Sequence, residues 1–317
     1  MSRILLAAVE DARRFLKSYF ASTPLVAAPS LSKTGATAFL KLECQLPTGS
    51  FKPRGALYAL NVNLKRRKIT EVTASSTGNH GAAVAFAAKT LGVPATIFLP
   101  ANPNPVKQEK IRALGARLVE TGAPDLAQAF QEAADYSRRD GVYFLNDATD
   151  PDLPAGPGTI GLEIAERLPQ VSSVYVPMGD TALIRGLAAA IKYVRPEVKV
   201  IGVQAERAPS YCLSWKQGNA VSTDSCDTCA DGLATRTPDP ENVRDIRQFV
   251  DEVVLVSEEQ MIDAIRHLYE RENVLAEPAG AAATAAFLAS SHQEGLTVLL
   301  VSGANISGEV KQRAGIG

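Results

Sequence analysis

Histidine is scarce. Three occur in 317 residues, His80, His267 and His292, which excludes chemistry organised around several imidazoles, such as a three-histidine metal centre. Aromatic residues make up only 6% of the chain, with a single Trp, so the interior must be built from small aliphatic side chains. Charge of one sign is also lacking: 33 Lys and Arg against 34 Asp and Glu leave a net charge of −1, and no electrostatic footprint for nucleic acid or an anionic membrane. No apolar run approaches the roughly 18 residues of a membrane span. The one N-terminal apolar run, 4–9, meets Glu10 and Asp11 at once. Its spacing fits an amphipathic helix ended before Pro24 and lacks the long uncharged core of a signal peptide. Four cysteines, Cys44, Cys212, Cys226 and Cys229, are too few for a disulfide framework and point to a reducing, cytoplasmic setting. Cys226 and Cys229 form a lone C-x-x-C with no second pair at zinc spacing, and read as two loop thiols.

What is present is an alternation of short apolar strands and longer helices. Strands are expected over 38–42, 71–75, 95–99, 117–120, 142–145, 173–176, 198–203, 252–256 and 297–301. Helices are expected over 53–64, 79–91, 105–114, 126–138, 159–167, 181–193, 258–271 and 280–290. That order implies βαβ units and parallel sheets. Two blocks are visible, about 52–147 and about 151 to the end, joined by the Pro/Gly-dense stretch 150–158. The polar stretch 211–243 reads as a long loop within the second block.

Three segments share the pattern strand, small-residue turn, helix, where free backbone N–H groups attract anions. In Pro47-Thr48-Gly49-Ser50-Phe51-Lys52-Pro53-Arg54-Gly55, Lys52 falls just before a helix start, where the positive helix end disfavours the charged amine and suits it to Schiff-base chemistry; an ordinary exposed lysine is the competing reading. Ser75-Ser76-Thr77-Gly78-Asn79-His80 suits a carboxylate or phosphate, or simple capping by Ser76 or Thr77. Met178-Gly179-Asp180-Thr181-Ala182 is a weaker anion loop, since Asp180 is an ordinary N-cap residue. A fourth turn, Ser302-Gly303-Ala304-Asn305, follows the last strand.

Together these segments resemble the motifs of the fold-type II pyridoxal-phosphate enzymes, most closely the threonine/serine dehydratase and serine racemase branch. Glu277-Pro278-Ala279-Gly280-Ala281 also falls in family order, and the resemblance runs from about Thr23 to Ser307. It implies an α/β fold of two open twisted-sheet domains, mainly parallel strands with helices on both faces, and pyridoxal 5'-phosphate in the interdomain cleft. Residues 1–50 would be the N-terminal part of the large domain, 51–150 the smaller mobile domain, and 151–317 the large phosphate-binding domain. Lys52 would carry the cofactor and later act as the α-proton base. Phe51 would pack beside the pyridine ring, Asn79 would bond its phenolic oxygen, and Ser302 would face its nitrogen. Gly179, Asp180, Thr181 and Ala182 would form the phosphate turn. The backbone of Ser76, Thr77, Gly78 and His80 would hold the substrate carboxylate. The family also implies a homodimer.

The chain departs from that family's pattern in three places. The phosphate turn carries one glycine where the dehydratases usually carry four, and an Asp180 carboxylate aimed at phosphate would be repulsive. Asp180 is therefore expected to point away or cap the helix, with the Thr181 hydroxyl on the phosphate. Thr77 stands where racemases carry a serine, which disfavours racemisation. Gln204 and Ser210 stand where metal-binding members carry acids, so no divalent metal is expected. Because the sequence ends soon after Ser302, no regulatory domain and no isoleucine feedback are expected. The resemblance implies dehydration and deamination of L-threonine or L-serine to a 2-oxo acid and ammonia. A threonine synthase-like lyase or racemase is the alternative, disfavoured in the first case by Pro53 after the lysine; a catalytically idle sensor is a third.

Overall fold

The computed structural model describes residues 4–33, 35–76, 78–101, 105–122, 126–290 and 294–316. The chain opens with α1 (Leu6–Leu16), which buries the stripe Val9, Ala12 and Leu16, then β1 (Leu25–Ala27) and β2 (Ala36–Leu42). Next come α2 (Lys52–Arg66), β3 (Glu71–Ser75), α3 (Asn79–Leu91), β4 (Ala95–Leu99), α4 (Pro105–Ala113), β5 (Arg117–Glu120), α5 (Leu126–Tyr136) and β6 (Val142–Phe144). They are followed by α6 (Ala155–Arg167), β7 (Val171–Pro177), α7 (Ala182–Val194), β8 (Lys199–Ala205), α8 (Ser210–Gln217), α9 (Pro240–Phe249) and β9 (Glu252–Val256). The chain closes with α10 (Glu258–Glu272), α11 (Pro278–Ala289), β10 (Gly295–Val301) and α12 (Gly308–Ala314). No described helix is long and apolar enough to cross a membrane.

The strands form two sheets. The smaller is wholly parallel, in the order β5-β4-β3-β6. The larger runs β1-β2-β10-β7-β8-β9, parallel except for β1 against β2. All five residues of β4 are buried, four of them apolar, as expected of a parallel strand covered on both faces. The last strand, β10, lies between β2 and β7, with Val301 level with Leu42. Because these neighbours are parallel, the turns leaving β2, β10 and β7 emerge at one edge. That edge, outside the carboxyl ends of the strands, is where open α/β sheets bind ligands.

Scarce aromatics are matched by close backbone packing. Ten successive residues of α11, Pro278 to Phe287, are buried, most of them alanine. A Cβ on Gly280 would lie 2.2 Å from the Gly303 carbonyl oxygen, and one on Gly156 would lie 2.3 Å from that of Arg54. Glycine is therefore required where α11 meets the turn after β10 and where α6 meets the start of α2. This explains the Pro/Gly-dense joint: residues 155–158 are the first turn of α6, so the helix begins four residues before the expected 159.

The expected loop 211–243 is corrected more strongly. Its first part lies in α8 and its last part in α9. Helix α8 buries Ser210 and Ser214, whose hydroxyls donate to the carbonyls of Thr235 (2.6 Å) and Ser210 (2.7 Å), so it shows no apolar period. Helix α9 begins with Asp239 accepting from the amides of Glu241 (2.8 Å) and Asn242 (3.2 Å), followed by Pro240 in its first turn.

Two residues beyond Lys52, Arg54 sits in a buried cluster of charges. Its Nε donates to Glu43 Oε2 at 2.8 Å, its Nη2 to Glu43 Oε1 at 3.0 Å, and its Nη1 to Glu163 Oε1 at 2.6 Å and Thr159 at 2.9 Å. Lys41 completes the set with Glu163, and with the Thr23 carbonyl at 2.9 Å. Burial opposes the charged form of Glu163, yet Arg54 and then Lys41 hold its carboxyl below the ordinary range. The cluster ties α2, α6 and the end of β2 together. Arg54→Met would leave two buried carboxylates with one cation, and should cost about 3–5 kcal/mol, read as a lower urea midpoint; a midpoint unchanged from wild type would refute this role.

Candidate active site

The start of α2 is stitched to the turn after β10. Phe51 N–H donates to the Ser302 carbonyl at 3.0 Å and Ala304 N–H to that of Gly49 at 2.9 Å. Gly49 has φ +73°, and a Cβ there would lie 2.9 Å from Asn305 Oδ1. Lys52 is the first residue of α2, one position inside the helix and not just before it. Asn305 Nδ2 donates to the Thr48 carbonyl at 2.9 Å and to Asn79 Oδ1 at 2.6 Å. Glu277 accepts from Asn79 Nδ2 at 2.7 Å and from the Asn305 amide at 3.0 Å. One carboxylate thus joins segments that stand more than 200 positions apart.

The other walls come from β3–α3 and β7–α7. Helix α3 begins at Asn79, with Gly78 as its N-cap residue, and the Ser76 hydroxyl accepts from Gly78 N–H at 3.2 Å. Helix α7 has Thr181 as its N-cap residue at φ +69°, without a side-chain cap. A Cβ on Gly179 would meet the Gly232 carbonyl oxygen at 2.1 Å, so this turn lies against the 3-10 turn Asp231–Leu233.

All eight residues assigned to the cofactor line one cleft with a void of about 420 Å3, open mouth included: Phe51, Lys52, Asn79, Gly179, Asp180, Thr181, Ala182 and Ser302. Ser76, Gly78 and His80 flank Asn79 without lining the cleft, and Thr77 lies outside the described residues. Asp147, Glu277, Gly232 and Leu233 share the lining and were not assigned from sequence. Asp147 follows the carboxyl end of β6, the position that should have drawn notice.

Lys52 does not stand alone. Its Nζ is ion-paired with Asp147 Oδ2, and His80 Nδ1 lies 3.5 Å from Asp147 Oδ1. Burial opposes the charged form of Asp147, but Lys52 and then His80 overcome it and hold the carboxyl below its usual value. Asp180 behaves oppositely: burial first, and then the charge of Asp147, push it up. The expectation that Asp180 caps α7 is corrected. The helix has no side-chain cap, and the Asp180 carboxyl accepts instead from the Thr235 hydroxyl at 2.8 Å, because Thr235 is brought in by the segment between α8 and α9. The Thr181 hydroxyl accepts from Arg185 Nε at 3.1 Å and is hydrogen-bonded to the Tyr211 hydroxyl.

Two other sequence features have structural employment. Gln204 accepts from the Cys212 amide at 2.9 Å, and Ser210 donates as described above. The thiol of Cys229 is pushed up to about 12 by burial and then by Glu258, so it is not a ready thiolate.

A family model described as "Pyridoxal-phosphate dependent enzyme" matches residues 16–303. The chain belongs to this family. It is 40% identical over 305 residues to an L-threonine ammonia-lyase of Thermotoga maritima, covering 96% of this chain and 76% of that one. The structure of a processed threonine deaminase isoform 2 from Solanum lycopersicum superposes with a TM-score of 0.91 at 29% identity, covering 98% and 92% of the two chains. Maize serine racemase superposes with a TM-score of 0.91 at 27% identity, covering 98% and 96%. As a pyridoxal-phosphate enzyme the chain needs a reachable amine, room for a ring and a cradle for a phosphate. Lys52, the Phe51 ring with Lys52 Nζ 5.4 Å from its centre, and the uncapped start of α7 meet those needs. Asp180 opposes a phosphate only when ionised, and the upward push on its pKa favours the neutral form. The residues fit the cofactor.

The sign of the Asp180 shift gives a test. A carboxyl raised above its unfolded value of about 4 costs folding stability that appears as the pH climbs past that value and persists at neutrality. Asp180→Asn should therefore raise the melting temperature of the cofactor-free protein at pH 7, with a gain that shrinks in acid. A pH-independent loss would show instead that the carboxylate is well paired.

Proposed function

We propose that the chain is a pyridoxal-phosphate-dependent ammonia-lyase, or dehydratase, that converts a small β-hydroxy amino acid, L-threonine or L-serine, to a 2-oxo acid and ammonia. The observation that carries this is the pairing of a lysine amine and a serine hydroxyl, Lys52 and Ser302, in one cleft of a chain 34–40% identical to L-threonine ammonia-lyases and dehydratases. Bound pyridoxal phosphate supplies an aldehyde that captures amines and a ring that draws electrons from the substrate's Cα.

The protein's part is to hold, orient and move protons. Lys52 carries the cofactor and, once released, takes the proton from Cα onto Nζ. Phe51 packs the ring and Asn79 holds its phenolic oxygen. Ser302 faces the ring nitrogen with a hydroxyl, which stabilises ring protonation less than a carboxylate would and so favours elimination over transamination. Backbone N–H groups of 179–182 hold the phosphate, and those of Ser76, Thr77, Gly78 and His80 hold the substrate carboxylate. Residues 51–150 act as the smaller lobe that closes over the substrate and excludes water, against a large domain formed by 1–50 and 151–317. The proposal includes a homodimer, as in the family, and a cytoplasmic location, in keeping with four unpaired thiols.

Incubation with L-threonine, L-serine and O-phosphohomoserine, read for oxo acid, D-amino acid and free phosphate, separates this reading from a racemase and from a threonine synthase-like lyase. Oxo acid should dominate; D-amino acid or phosphate as the main product would replace the reading. Lys52→Ala should lower oxo-acid formation by at least about 10²–10⁴-fold, the usual contribution of a positioned acid–base group.

A further inference from the structure

Lys52 and Asp147 form a tight pair at the floor of the cleft, each side chain about one-sixth exposed (16% and 17%). Asp147 is held in place by its neighbours. Asn146 Oδ1 accepts from the amides of Ala148 at 2.9 Å and Thr149 at 3.3 Å, fixing the turn after β6. The other oxygen of Asp147 faces only His80 Nδ1, at 3.5 Å. His80 Nε2 lies 2.9 Å from the Leu145 carbonyl, which only accepts, so Nε2 carries a hydrogen and the ring is fixed with Nδ1 toward Asp147.

The remaining charged groups around the pair are committed elsewhere. Arg185 on α7 bonds Asp245 at 3.2 Å, the Ala148 carbonyl and Thr181. Asp180 before α7 accepts from Thr235, and Glu277 before α11 accepts from Asn79 and the Asn305 amide. Among the described residues, Lys52 is therefore the cation hydrogen-bonded to Asp147, with His80 farther off at 3.5 Å.

We propose that Asp147 is a positioning residue that pairs with Lys52 in the cofactor-free protein and pairs with it again once the freed amine has taken up the substrate's proton, keeping Nζ in the cleft. This rests on the reading of Lys52 as the cofactor lysine. An amine captures an aldehyde only when unprotonated, and a carboxylate in contact favours the protonated form by about 1–3 pH units. The same contact serves the released lysine. When Lys52 takes the proton from Cα, the C–H bond breaks, an N–H bond forms on Nζ, and the electron pair stays on Cα; the ammonium so formed lies against Asp147. The carboxylate thus keeps the freed lysine in reach of the cleft and stabilises the state in which it holds the proton.

The test uses the cofactor-free full chain titrated with pyridoxal 5'-phosphate across pH, read as the visible absorbance of the lysine-bound cofactor. Asp147→Asn should move the midpoint of cofactor capture down by about 1–3 pH units, and Asp147→Glu should restore most of the shift. An unmoved midpoint in an Asp147→Asn protein that circular dichroism shows to be folded overturns the proposal. If that variant does not fold, Lys52→Met supplies the reciprocal measurement by 13C NMR: the Asp147 carboxyl should titrate at higher pH than in wild type, and an identical titration overturns the proposal. Failure of wild type to capture cofactor at any pH would instead sink the reading of Lys52, while the carboxyl titration would still decide whether the pair exists.

Discussion

Arg54 lies two residues beyond Lys52, wedged between Glu43 and Glu163 with Lys41 behind them. Two cations and two anions balance in a largely buried space, with Glu163 alone partly exposed. Charges buried there are tolerated only when every one keeps its partner, so the cluster is sensitive to small displacements. That sensitivity fixes the first turn of α2 against both α6 and the end of β2. Lys52 inherits the precision, since it occupies the first position of the same turn. The glycine at 156 serves the same end, because a side chain there would push α6 off the Arg54 carbonyl.

From that anchored turn the cleft is assembled by parallel topology. Strand β10 lies between β2 and β7, so residues 48–52, 177–182 and 302–305 leave one sheet edge together. Glu277 and Asn305 then pull Asn79 in from the smaller sheet. The chain needs little net charge for this work. Two helix starts, α3 and α7, offer neutral backbone donors where other proteins use basic side chains. The cost is a local excess of carboxylates, Asp147, Asp180 and Glu277 against Lys52, which the protein handles by giving each a different partner.

The fold was legible because short apolar strands such as 95–99 and capped helices such as α10, with its Ser257–Gln260 capping box, announce themselves by local rules. Helix α8 escaped notice because its buried face carries Ser210 and Ser214 bonded to backbone carbonyls, which leaves no apolar period. Helix α9 carried a local signal, Asp239 before Pro240, inside a segment otherwise polar. At the site, residues in contiguous motifs were found and residues in isolation were not. Lys52, Asn79, Gly179 and Ser302 lie at turns with a recognisable grammar. Asp147 is one acid after a three-residue strand, and its meaning lies in a contact 95 positions away. Thr235 matters through Asp180 in the same way.

The account's central claim is that one amine, that of Lys52, joins this protein to pyridoxal phosphate. Reduction of the cofactor-loaded protein with borohydride, followed by proteolysis and mass spectrometry, tests it most directly. The account predicts a pyridoxyl group on the peptide that contains Phe51-Lys52-Pro53, attached at Lys52. Attachment at any other lysine, or no attachment to a folded protein saturated with cofactor, would contradict it.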